Sequence, residues 1–117
     1  MADLERVICA ASDLVDSGPG VRFEVSLHGR MEPAFAVRFD GQVHAYLNRC
    51  GHMPMELDWK PGHFFDDQGL LLVCSTHGAA YFPASGRCAG GPCAGRGLEA
   101  IGVAEFNGAI WLKDGNG

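Results

Sequence analysis

The 117-residue chain has no surplus of positive charge: nine Lys and Arg stand against 14 Asp and Glu, giving a net charge of −5. A nucleic-acid binder needs a basic footprint to meet phosphates, so that class of function is set aside. No apolar run approaches the roughly 20 residues that cross a bilayer. The first residues carry Asp3, Glu5 and Arg6 ahead of a short apolar run, without the basic start and long apolar stretch of a secretory signal. A cytoplasmic protein with no membrane or nucleic-acid partner is the expectation. Long helical periodicity is also missing; the best candidate, 11–17, is a short turn or helix before Gly18. There is no internal repeat, low-complexity tract or interdomain linker. A single domain over 1–117 is expected, large enough to bury roughly two-thirds of its unfolded surface.

What is present is glycine, 17 residues of it, within a composition that is 47% apolar and 20% charged. That combination suits short strands joined by tight turns. Segments of strand character recur at 6–10, 21–27, 34–39, 43–47, 70–74, 80–82, 98–105 and 109–112. Between them lie turn signals, of which Asp40-Gly41 and Asn107-Gly108 are the most telling. Each sits between apolar runs, the strongest short signal for a hairpin. The expected fold class is all-β.

The five cysteines are Cys9, Cys50, Cys74, Cys88 and Cys93. In a reducing compartment they read as metal ligands, packed apolar residues or redox groups before they read as a disulfide framework. Spacing singles out two pairs: Cys50-Gly51-His52, then 21 intervening residues, then Cys74-Ser75-Thr76-His77. Two sulfur and two nitrogen ligands on two loops suit a tetrahedral zinc or a two-iron cluster. In common zinc fingers the cysteines form one pair and the histidines the other. Here each loop supplies one of each, which fits an inner iron held by Cys50 and Cys74 and an outer iron held by His52 and His77.

These residues, with Gly78 after the second pair and Gly90-Gly91-Pro92 beyond, resemble the Rieske [2Fe–2S] domain over about 7–113. The resemblance implies stacked antiparallel sheets with a small cluster-binding subdomain, approximately 48–95 here. It also implies a covering loop in which Pro92 is the proline. Replacing thiolate by neutral imidazole on one iron removes negative charge and eases reduction. Rieske centres accordingly lie at roughly −150 to +300 mV, against about −400 mV for plant-type ferredoxins. High-potential members carry a disulfide between the ligand loops and a Ser and a Tyr near the cluster. By that resemblance the bridge positions are Met55 and Thr76, the serine position is Ala79, and the tyrosine position is Tyr81. A low-to-intermediate potential follows, with Tyr81 the residue that raises it.

Other candidates receive blander readings. Cys88 and Cys93 flank the Gly-Gly-Pro turn and read as small packed residues rather than a local disulfide or cluster-tuning pair. Cys9 reads as core. His63 reads as a solvated loop residue, and His28 and His44 have no partner at ligand spacing. Met53 and Met55 read as apolar shielding of the cluster. Glu56, Asp58, Asp66 and Asp67 make the segment between the pairs acidic, a solvated face first and a steering surface second.

No catalytic apparatus accompanies the two pairs, and a Gly-rich dinucleotide turn is missing. The expected function is one-electron transfer by a stand-alone Rieske-type ferredoxin. Its implied partners are a ferredoxin reductase and a terminal oxygenase or other redox enzyme, met transiently. Two alternatives are a small Rieske-like subunit or regulatory module of a larger reductase, and a zinc-binding structural domain.

Overall fold

Two hairpins show how the turn residues shape this chain. In the computed structural model, which describes residues 4–27, 29–49, 57–58, 62–74, 78–91 and 97–113, Asp40 and Gly41 have φ of 53° and 79°, and Asn107 and Gly108 have 54° and 77°. Two successive left-handed residues match the twist of the flanking strands, which is why Asp-Gly and Asn-Gly serve here.

The first of these turns joins β3 (Arg30–Phe39) to β4 (Gln42–Leu47), and β3 also pairs with β2 (Val21–Leu27). The second joins β9 (Val103–Phe106) to β10 (Ala109–Lys113), beside β1 (Leu4–Ala10). Short strands β5 (Leu72–Val73), β6 (Ala80–Tyr81) and β7 (Cys88–Gly90) make a sheet of their own, and β8 (Ala100–Ile101) completes the edge beyond β4. Among the described residues the result is three antiparallel sheets, ordered β1-β10-β9, β2-β3-β4-β8 and β5-β6-β7. The only helical element described is a 3-10 turn, Ala11–Asp13.

The four-stranded sheet is the middle layer. Its run Ala34-Phe35-Ala36-Val37 is buried throughout, because alternate side chains serve two different cores. Phe35 and Val37 pack with Leu57, Phe64, Leu72 and Tyr81 on the side of the short-stranded sheet. Ala34 and Ala36 pack with Val25, Ile110 and Leu112 on the side of β10. Phe35 stacks on Phe64 with ring centroids 4.0 Å apart; truncating such a buried ring costs about 3–5 kcal/mol.

Two polar ties hold the layers together. Arg38 on β3 donates to the carbonyls of Leu14 (2.8 Å) and Ala11 (3.1 Å) and meets the Glu105 carboxylate of β9 with two nitrogens at 3.0 and 3.1 Å. That pairing holds the Glu105 carboxyl below its ordinary pKa. On the other side, the buried Tyr46 hydroxyl of β4 donates to the carbonyl of Pro83 at 2.6 Å, tying the middle sheet to the turn between β6 and β7. Burial pushes the Tyr46 pKa up to about 12.

The segment read as one strand over 98–105 is two. It breaks at Gly102, with β8 paired to β4 and β9 paired to β10, so the chain changes sheets there. The segment read as a strand at 70–74 is strand only at Leu72–Val73. Strand β7 was not expected, since Cys-Ala-Gly has little strand propensity; its pairing with β6 imposes it.

Candidate metal centre

The second ligand pair sits on the hairpin between β5 and β6. Leu72 pairs with Tyr81 and Val73 with Ala80. Just beyond, the Cys74 amide donates to the Ala79 carbonyl and the Gly78 amide returns to the Cys74 carbonyl, both at 2.8 Å. This closes a short loop with Cys74 at its foot. Cys74 is fully buried and is not in a disulfide. Its backbone is therefore fixed on one side by the Ala79 bond and on the other by the Val73 amide, which donates to Phe64 at 2.8 Å.

The backbone just after β7 passes close to this loop. Gly91 has φ +82°, and a Cβ there would lie 2.9 Å from the Gly78 carbonyl oxygen and 3.0 Å from the Ala79 Cα. Only a residue without a side chain lets the backbone cross the ligand loop so closely. Ala79 and Tyr81, at the positions where high-potential members have Ser and Tyr, are both fully buried. Cys50, His52, His77 and Pro92 lie outside the described residues, as do Cys93, His28, Met53, Met55 and Thr76. Among the described residues no three His, Cys, Asp or Glu side chains converge, Cys74 being the one candidate ligand among them.

Three readings of the sequence are altered or sharpened. Cys88, read as a packed thiol, is disulfide-bonded; it is half-buried at the start of β7, opposite Tyr81, and its partner is not among the described residues. The acidic segment is not simply a solvated face. Asp58 is buried, and Asp66 turns inward on its own loop, where its carboxylate accepts from the Leu70 amide at 2.9 Å. Asp67 and His63 are exposed. Cys9 is half-buried against the core that β10 shares with the middle sheet. Burial raises its thiol pKa, with Asp13 adding to the effect. His44 is half-buried on β4, and burial lowers its pKa.

Stacked antiparallel sheets, with a buried cysteine on a hairpin loop and a glycine-mediated crossing above it, define a small β protein built to present a sulfur ligand. The Rieske [2Fe–2S] domain model matches residues 5–107, and the chain belongs to that family. The family binds a [2Fe–2S] cluster, and a buried, unbridged cysteine on a closed loop is a donor that fits one. When bound, such a cluster supplies a one-electron redox centre, so the chain is an electron carrier.

Solved structures share the fold. The ferredoxin of Sphingomonas yanoikuyae B1 is 21% identical with a TM-score of 0.71, the match covering 96% of this chain and 99% of that one. The ferredoxin of carbazole 1,9a-dioxygenase from Nocardioides aromaticivorans IC177 is 24% identical with a TM-score of 0.67, over 94% and 96% of the two chains. A chain from the complex of reduced oxygenase and oxidized ferredoxin in carbazole 1,9a-dioxygenase is 24% identical with a TM-score of 0.70, over 95% and 94%. No curated protein matches the sequence.

Proposed function

We propose that this chain is a free-standing ferredoxin that receives single electrons from a ferredoxin reductase and delivers them to a terminal oxygenase. Cys50 and Cys74 would hold the inner iron, His52 and His77 the outer iron, and Pro92 would cover the pair. The observation that carries the reading is end-to-end likeness to a ferredoxin: 96% of this chain against 99% of that of Sphingomonas yanoikuyae B1. Histidine ligands on the outer iron would suit a carrier, giving the electron an outlet through the imidazoles during brief docking. The cytoplasm is the proposed location.

Reconstitution tests this. The purified protein, mixed with a ferredoxin reductase and its reduced nicotinamide donor, is expected to be reduced, and then reoxidised only when a terminal oxygenase and its substrate are added. Protein that is never reduced, or that copurifies in fixed ratio with a larger reductase, contradicts a mobile carrier. Cell fractionation checks the location, with recovery in the membrane fraction counting against it.

A further inference from the structure

We infer that Asn48 and Asp58 are positioning residues that close the first ligand segment, the excursion from Asn48 to Leu57 that carries Cys50 and His52. The inference rests on the proposed ligand assignment for its purpose, though not for its geometry. The Asn48 side-chain oxygen accepts from the Leu57 amide at 2.8 Å, joining the two ends of the excursion. Its side-chain nitrogen donates to Asp58 Oδ1 at 2.9 Å. Asp58 Oδ2 in turn accepts from the Gly62 amide at 2.9 Å and lies 3.5 Å from Arg22 Nε on β2. The Asn48 amide itself donates to the Pro33 carbonyl at 2.8 Å, fixing the network to β3.

The centre of this network is buried: Asn48 is 1% exposed and the Asp58 side chain 0%. A buried carboxylate with a half-exposed guanidinium at 3.5 Å is poor value as a source of stability, since desolvation offsets most of the attraction. Its distinctive yield is geometric. Backbone pairing ends at Leu47 on β4, and no strand is described between it and β5. Burial of Leu57 and the Asn48 amide bond seat each end on the core separately, and the Asn48 side chain is the described hydrogen-bonded link that joins one end to the other. With the Asn48 and Asp58 contacts, the ends of the excursion are fixed relative to β3 and β2 before any metal binds. A preorganised ligand loop holds its cluster longer than one ordered only by the metal.

The test uses protein as purified, in wild-type form and as Asn48→Ala, Asp58→Asn, the double variant, and Arg38→Ala as a control that weakens the fold away from this network. Two readouts are followed: amide hydrogen exchange at Leu57 and Gly62, and bleaching of the visible absorbance by an iron chelator. Asp58→Asn, which breaks one hydrogen bond to a buried group, is expected to speed both by about tenfold, and Asn48→Ala, which removes two, by at least as much. The double variant should be no more than about threefold faster than the quicker single, because the two side chains act as a unit. Arg38→Ala should leave both readouts within about twofold of wild type. If Asn48→Ala does not accumulate, Asp58→Asn alone decides, since it keeps the size of the side chain and leaves a donor facing a donor. Exchange at wild-type rates, multiplicative effects in the double variant, or equal bleaching in Arg38→Ala would overturn the inference. Wild-type protein without a cluster would sink the ligand assignment instead, and the exchange arm would still decide the clamp.

Discussion

Replacing Tyr46 by Phe removes one oxygen and keeps the ring, including its contact with Phe35 at 6.0 Å between centroids. The lost hydroxyl is the donor to the Pro83 carbonyl at 2.6 Å, and both residues are buried. A buried carbonyl stripped of its donor costs about 1–3 kcal/mol. For a domain of this size the unfolding entropy is about 0.25 kcal/mol/K, so Tm should fall by about 4–12 °C. The pH dependence carries a sign as well. Tyr46 has its pKa raised to about 12 by burial, against about 10 in the unfolded chain. Its contribution is therefore complete below pH 10 and declines as pH rises through 12, because the unfolded phenol ionises first. Urea unfolding of wild type and Tyr46→Phe at pH 8 and pH 11 reads both effects. The difference between them should shrink at the higher pH. Equal stability at pH 8, or a difference that grows with pH, would refute the argument that this bond ties the middle sheet to the β6–β7 turn.

The remaining predictions concern the ligand loops. Cys74→Ser or Cys50→Ser should prevent cluster assembly, seen as loss of iron and acid-labile sulfide; full retention in either variant would contradict the assignment. Tyr81→Phe should lower the reduction potential measured by protein-film voltammetry, and an unchanged value would remove Tyr81 as a tuning residue. Non-reducing peptide mapping should pair Cys88 with Cys93, because the proposed ligand set requires Cys50 unbridged. A Cys50–Cys88 peptide would break that set.

Local signals were legible wherever a residue type dictates backbone. Asp40-Gly41 and Asn107-Gly108 announced their hairpins because two left-handed positions in a row admit few residues. Strand β2 is found where its alternation placed it, at Val21–Leu27. Strand β3 was expected from residue 34 yet begins at Arg30. Its first residues, Arg30 to Glu32, are polar or exposed, and it is pairing with β2 rather than burial that makes them strand. The change of sheets at Gly102 was hidden inside one apolar run, since Ile101 of β8 and Val103 of β9 pack against the same core and only their pairing partners differ.

At the site, spacing alone singled out Cys74, and the structure sets it buried at the foot of a closed hairpin loop. The Asn48 and Asp58 network escaped notice because nothing in an acidic stretch tells which carboxylate turns inward. Only the approach of β2 and β3 shows Asp58 to be an internal acceptor and not part of a solvated face. Cys88 escaped for a related reason: a thiol beside a Gly-Gly-Pro turn is equally at home packed or bridged, and the pairing of β7 with β6 fixes where its sulfur lies.

The most direct measurement is electron paramagnetic resonance of the dithionite-reduced protein, with iron and acid-labile sulfide determined on the same sample. The account predicts about two irons and two sulfides per chain and a rhombic signal whose average g value lies below that of the free electron, as a reduced, spin-coupled two-iron centre gives. Colourless protein that binds zinc, or protein with no labile sulfide after anaerobic reconstitution, would contradict it.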